Sequence, residues 1–416
     1  MLEFRQLSFE MEENKLFLTR MGNLSGLHSA IAEVQVAGEN KDTHMGAKMV
    51  SSSEGLRLQY VRHSICGNCL SVVQRSALVE VETCFTAYDD TNALRIFTTV
   101  TNISDVAIVL EEVSAFTFCG IPKDGEFTRF LQSHHKECQP VKRSFADWGL
   151  TDREPNGQKR IACANIGSWS TKEELPQGIL GWNDGCMMFQ IESAGSWYYE
   201  ISDLNKQYYL YLSGPNLPFG GWACKLQPGE SYATPAVSLA FGDDLNDVLA
   251  HMTRYRRHIA GNYTPDAHLP AIFNEYMHLS WDSPTAQRTY EMAPIVAGLG
   301  AEYYVIDCGW HNEEPGSEIY PYVGQWQESK ARFPEGVRKT LDHIRSLGMK
   351  PGLWIEPEII GWQCEDMLSY YDDDCFFQRF GKRLNVMGRQ FLDYRNPRVR
   401  EYMSETIRRM VEDYGT

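Results

Sequence analysis

Three carboxylates and an aromatic stand close together in the second half of the sequence, in a pattern that suits sugar chemistry. Asp307 ends the apolar run EYYVIDCGW and is followed by Gly309 and Trp310, so its carboxylate is expected at the mouth of a sheet with an aromatic wall beside it. In MKPGLWIEPEII the residues Trp354, Glu356 and Glu358 alternate, which on a strand sets all three on one face. A pyranose presents an apolar face of C–H groups and a rim of hydroxyls, so a flat aromatic platform next to hydrogen-bond acceptors fits carbohydrate. The same three acids could supply oxygen ligands to a divalent cation, and Asp307 alone could be a loop cap. Residue types leave those readings open. The run Asp372, Asp373, Asp374 has no EF-hand spacing and reads as a solvated loop. No GxGxxG, P-loop or GxSxG elbow occurs, which removes the usual signals of nucleotide and serine-hydrolase chemistry.

Side chains presented in this way need strands backed by helices, and the chain after Pro265 and Pro270 alternates the two. AIFNEYMHLSW, EYYVIDCGW and MKPGLWIEPEII are predicted strands. TAQRTYEMAPIVAGLG, with an internal proline, VRKTLDHIRSLG and RVREYMSETIRRMVEDYG are predicted helices. Strands apolar on both faces imply a parallel sheet covered on each side. Their polar residues gather at the C-terminal ends, where β/α barrels build active sites. The pattern alone does not choose between barrel and open sheet. A full barrel takes about 250 residues and only about 150 follow Pro270, so three β/α units are expected, with a fourth strand due to begin after the helix that reaches Gly415 and Thr416.

The first 260 or so residues read differently. Short runs rich in β-branched and aromatic residues, such as LRIFTTVTN, AIVLEEVSAFTF and SWYYEISD, are broken by turn signals at Pro122 to Gly125, Pro155 to Gly157, Asn183 to Gly185 and Pro228-Gly229. That rhythm predicts packed sheets. DDLNDVLAHMTRYRRHI, residues 243 to 259, opens on acids and closes on bases, as a helix dipole prefers. A length of 416 residues suggests two domains, and 43% hydrophobic with 23% charged residues is a globular balance. The net charge of -16 argues against nucleic acid or an acidic membrane as partner, and no run of 18 apolar residues suggests a membrane span. The opening MLEFRQLSFEMEENKLFL lacks the basic start and apolar core of a signal peptide, giving a cytoplasmic expectation. Eleven cysteines without repeating spacing predict no disulfide framework. Cys66 and Cys69 read as two ordinary thiols, and His134, His135 and Cys138 as part of a solvated loop.

With these residues in view, the sequence resembles the family 36 glycoside hydrolases, the α-galactosidase or melibiase family. The likeness lies in YYVIDCGW, GQWQESKARFPEGVRKTLDHIRSLGMKPGLWIEPEII and FLDYRNPRVREYM, in that order, and LQPGESYATPAVSLAFGDDLNDV resembles the family's lead-in to its barrel. The resemblance implies a multidomain β and α/β fold: an N-terminal β-supersandwich over 1–242, a helical linker over 243–269, and over 270–416 the first three β/α units of an otherwise incomplete (β/α)8 TIM barrel. It implies retaining hydrolysis by two aspartates, both expected beyond Thr416, so that no residue here is assigned a catalytic role and residues 1–416 alone are expected to be inactive. Glu356 and Glu358 are read as supporting residues.

For substrate binding the resemblance points to Asp307 and Cys308, which fall on a pair of aspartates in the family, to Trp354 as platform, to Arg389 ahead of the LD motif, and to Tyr276, near Asn274 on the first strand. It implies no metal and no cofactor. The expected ligand is a terminal α-linked galactose, or a modified galactose, in a small oligosaccharide or glycoconjugate. The alternatives are an α-N-acetylgalactosaminidase, a raffinose-synthase-like transglycosylase, and a non-catalytic sugar-binding fragment. Since a thiol is a weak hydrogen-bond partner, Cys308→Asp is expected to favour plain galactosides. Homo-oligomerisation is left open by the sequence.

Overall fold

Period-two alternation builds the first half of the protein. In Val79–Ala87 every second residue, from Val79 through Val81, Thr83 and Phe85 to Ala87, is buried, and Ala93–Asn102 pairs with it antiparallel in the complementary phase. The computed structural model describes residues 1–41, 48–150, 159–261, 268–313 and 319–416. They divide into two compact units, Met1–Gly261 and Asn262–Thr416.

Unit 1 contains antiparallel sheets of four, six and ten strands. Residues from all three, among them Phe9, Leu18, Phe85, Phe116, Leu210 and Leu239, fill one hydrophobic cluster. The turn signals at Pro122 to Gly125, Asn183 to Gly185 and Pro228-Gly229 each join two strands. The one at Pro155 to Gly157 lies outside the described residues. Cys66 and Cys69 face each other across the tight turn between Gln59–Cys66 and Cys69–Arg75, both as free thiols. Helix α1 (Leu245–Ala260) is capped by Asp244, whose side chain accepts from Asp247 N. It lays Val248, Met252 and Tyr255 against Met188 and Ala240 of the ten-stranded sheet. This packing, fastened by bonds from Arg256 to Gln190 and Gln177, makes the helix part of the sandwich unit.

Unit 2 carries three parallel strands, β1 (Ile272–Asn274), β2 (Tyr303–Ile306) and β3 (Lys350–Leu353), in that order across the sheet. Helix α2 (Ala286–Gly298) joins β1 to β2, and α3 (Val337–Ser346) precedes β3. The last helix, α4 (Pro397–Arg408), starts with Asn396 as cap and Pro397 in the first turn. Pro294 lies inside α2, as the sequence suggests, and Thr285 caps its start.

Four expectations need correction here. The first strand does not run through AIFNEYMHLSW. The Asn274 side chain accepts from Tyr276 N, the short local bond with which Asn competes against a ladder, and Tyr276–Ser280 then forms a π-helical turn. Likewise β3 ends at Leu353, short of Trp354, Glu356 and Glu358, where Pro357 can donate nothing to a ladder. Between β3 and α4 the chain inserts Ile359–Ile360, Asn385–Val386 and Arg389–Phe391, paired antiparallel. The helix expected up to Gly415 changes at Arg409 into a π-helical segment, Arg409–Tyr414. Fully buried Trp310 and Trp326 pack with Tyr304, Ile306, Phe333, Leu341 and Ile344 beneath the strand ends.

Candidate functional site

The C-terminal ends of β1 and β2 are tied together by a closed ring of hydrogen bonds. Asp307 Oδ2 accepts from Asn274 Nδ2 at 2.5 Å, and Asn274 Oδ1 accepts from Tyr276 N at 2.9 Å. The Tyr276 hydroxyl donates to Asp282 Oδ1 at 2.9 Å, and the Cys308 thiol faces the same oxygen at 3.9 Å. Cys308 N closes the ring by donating to Asp307 Oδ1 at 2.7 Å. Burial, then the Asp307 charge, pushes the Cys308 thiol up, so it stays a neutral donor between two carboxylates.

Trp354 lies one rung beyond the Ile306 to Leu353 pair, next to Asp307. Its N donates to Ile306 O at 3.0 Å and its carbonyl accepts from Trp310 Nε1 at 2.8 Å. Its ring meets Trp326 edge-on at 5.7 Å and lies near-parallel to His311 at 6.4 Å. Burial depresses His311 to about 3, so the imidazole next to this aromatic group is neutral. Beyond the ring, Arg389 Nη1 contacts Glu356 Oε1 at 3.3 Å and its guanidinium stacks over Tyr320 at 5.0 Å. Burial raises the Tyr320 hydroxyl, and the neighbouring Cys308, Glu356 and Asp282 push the same way. The structure therefore brings Asp307, Cys308, Tyr276, Trp354 and Arg389 together in unit 2.

Three residues of this region escape a reading of types and spacing: Asp282, Tyr320 and Glu275. Glu275 sits beneath the ring, fully buried, accepting from the Tyr304 hydroxyl at 2.8 Å and Thr289 Oγ1 at 3.4 Å. Burial is the main cause of its rise to about 7, opposed by those two bonds and aided by the Asp307 charge. Unfolded, the acid ionises near 4.5; folded, it stays protonated to about 7, so stability falls between those pH values and levels off above. Glu275→Gln is expected to flatten that stretch of the profile and to stabilise unit 2 at pH 8 by up to about 3 kcal/mol. Unfolding titrations at pH 4, 6 and 8 check this, and a parallel profile for the variant would reject it.

Glu358, by contrast, is exposed, and its carbonyl accepts from Leu392 N. Asp372 and Asp373 are exposed and pair with Arg398 and Arg383. Among the described residues no group of His, Cys, Asp or Glu is arranged to hold a metal ion.

Residues 231–416 match the melibiase family model. Alpha-galactosidase AgaA of Geobacillus stearothermophilus is 29% identical over 184 residues, covering 44% of this chain and 25% of AgaA. Alpha-galactosidase 1 of Pediococcus pentosaceus is 22% identical over 374 residues, covering 86% of this chain and 47% of the relative. The chain thus spans from a quarter to about half of these relatives. The crystal structure of the GH36 enzyme AgaA superposes with a TM-score of 0.79 at 18% identity, covering 99% of this chain and 64% of AgaA. The galactosidase domain of the α-galactosidase-sucrose kinase AgaSK gives 0.80 at 17% identity, with 100% and 64% coverage. The likeness to the melibiase family thus lies in residues 231–416, and the chain as a whole has the fold of the GH36 α-galactosidases.

Proposed function

We propose that the strand ends of unit 2 hold the glycone of an α-galactoside, and that the activity they serve is retaining α-galactoside hydrolysis. The observation that carries this reading is the hydrogen-bonded ring of Asp307, Asn274, Tyr276, Asp282 and Cys308 next to the Trp354 platform. Fixed acceptors fit a sugar's hydroxyls, and an indole fits its C–H face. AgaA has been solved with raffinose and with stachyose, and small α-galactosyl oligosaccharides of that kind are the substrates proposed. Asp307 is assigned to a sugar hydroxyl, Trp354 to the apolar face, and Arg389, steered by Glu356 and Tyr320, to the hydroxyl rim. Retaining chemistry needs two carboxyl groups about 5 to 5.5 Å apart across the anomeric carbon. This reading assigns neither role to a residue of unit 2. The neutral thiol of Cys308 beside Asp307 favours, as a second reading, a galactose modified at one position.

The test is ligand-observed NMR titration of the chain with methyl α-galactoside, methyl α-N-acetylgalactosaminide and methyl α-glucoside, alongside release of nitrophenol from the aryl galactoside. Either galactose-type sugar should bind more tightly than the glucoside, since the fixed carboxylate of Asp307 distinguishes hydroxyl orientation. Equal or better binding of the glucoside, or no binding at all, rejects the proposal.

A further inference from the structure

The loop that follows the π-helical turn brings an acid to the strand ends that neither strand supplies. Asp282 is held through both its backbone and its side chain. Its carbonyl accepts from Arg332 Nη1 at 2.7 Å, and Arg332, itself buried, is anchored by Nε to Asn312 O at 2.8 Å. From the other side Gly309 comes so close that a Cβ there would lie 2.5 Å from the Asp282 carbonyl. Oδ1 receives the Tyr276 hydroxyl and faces the Cys308 thiol. A carboxylate already fixed in this way loses little further freedom when it accepts a ligand hydroxyl.

Its neighbour Trp281 has φ 46°, a left-handed backbone that is costly for a bulky residue, yet its indole remains 57% exposed. Packing therefore does not repay the strain. The exposed ring meets Tyr276 edge-on at 5.4 Å, so an apolar surface and a fixed carboxylate stand side by side on consecutive residues.

We infer that Asp282 is a hydroxyl-accepting, specificity-determining residue of the sugar site, with Trp281 as its apolar flank. The inference rests on the sugar site proposed above and extends it from the strand ends to the loop. It also gives Cys308 a different part from the one its residue type suggests. A neutral thiol lies between Asp307 and Asp282, donating toward one and presenting no charge to the other; a third carboxylate at that position repels both. Cys308→Asp, expected from the sequence to help plain galactosides, then weakens them instead.

The experiment measures the affinity of the chain for methyl α-galactoside and for its 2-, 3-, 4- and 6-deoxy analogues by ligand-observed NMR. Asp282→Asn, which can still accept from Tyr276, should weaken the parent sugar about 10- to 100-fold, as expected for the loss of a hydrogen bond to a charged acceptor. That penalty should vanish for the one analogue lacking the hydroxyl held by Asp282, and the penalty of Asp307→Asn should vanish for a different analogue. An equal penalty on every analogue would show that Asp282 only holds Tyr276, and overturns the inference, as does no penalty at all. Cys308→Asp should lose about tenfold on the parent sugar and recover when Asp282→Asn is added; a gain by the single variant also overturns it. If Asp282→Asn does not fold, Trp281→Gly serves in its place: it relieves the backbone strain, so the melting temperature should hold or rise while every sugar weakens alike, and unchanged binding overturns the inference. A wild-type chain without affinity for any galactoside brings down the sugar-site reading and this inference with it. Wild-type affinity that Asp282→Asn leaves unchanged brings down this inference alone.

Discussion

If the strand ends of unit 2 hold a galactoside as proposed, Trp354→Ala should weaken binding of methyl α-galactoside by about thirtyfold or more. The expectation follows from how the indole is mounted. Its backbone is pinned at both polar atoms, N to Ile306 O and carbonyl to Trp310 Nε1, and its ring is braced by Trp326 and His311, so it cannot turn away from a ligand. Removing such a face forfeits about 2 kcal/mol of contact with the sugar. The half-buried side chain also packs on the core of unit 2, so the variant should melt somewhat earlier. Trp354→Phe separates the two effects: it keeps an aromatic face and should recover most of the affinity, though not all of the packing. Unchanged affinity in a folded Trp354→Ala chain would take Trp354 out of the site.

Gly309→Ala should be among the most damaging single-methyl changes in unit 2. The residue has φ +102°, a conformation that L side chains rarely adopt, and its added Cβ would sit 2.5 Å from Asp282 O and 2.8 Å from Pro284 Cδ. Backbone strain of this kind costs about 1 to 3 kcal/mol, and the overlap with the main chain adds to it, because a carbonyl bonded to Arg332 has nowhere to go. A total of about 3 kcal/mol or more corresponds to a melting shift of about 10 °C for a unit of this size. Gly348→Ala is the control. Gly348 also has positive φ, at +87°, but nothing lies within 4 Å of its Cβ position, so only the strain is incurred. Equal losses in the two variants would mean that the loop carrying Asp282 yields freely, which calorimetry resolves directly. The transition of the sandwich unit should stay in place in both.

Much of this architecture is legible in the sequence because its signals are periodic. The Asp244 cap and the apolar spacing of Val248, Met252 and Tyr255 announce α1, and the alternation of Val79–Ala87 announces its strand. Legibility fails where apolar residues serve a shape other than the one whose period they imitate. Tyr276, Met277, Leu279 and Trp281 look like a continuing strand, yet a single side-chain bond from Asn274 turns them into a π-helical turn. The two- and three-residue strands between Ile359 and Phe391 are too short to have a period at all.

The site follows the same division. Asp307 and Trp354 stand at or just past strand ends and declare themselves by position. Arg389, Cys308 and Tyr276 emerge only through the family resemblance, and the structure sets them beside the first two. Asp282 lies in a pre-helical loop, where an acid ahead of Pro284 and the Thr285 cap reads as ordinary turn chemistry. Glu275 is hidden for another reason: nothing in the residue type tells that a glutamate will be fully buried against Tyr304 and Thr289.

The aromatic group behind the site has a spectroscopic consequence. Trp310, Trp326 and Trp354 lie within 6.4 Å of one another in successive pairs, with the His311 ring among them. A protonated imidazole quenches indole emission strongly and a neutral one hardly does. With His311 held to about 3, that quenching is switched off across the whole ordinary working range of pH. Trp310 and Trp326 are buried, whereas Trp354 is only partly covered, so a ligand settling on Trp354 changes the surroundings of one member of a trio that can exchange excitation. On the sugar-site reading proposed above, occupancy should therefore register as a change in the protein's own fluorescence, read against the emission of seven further tryptophans.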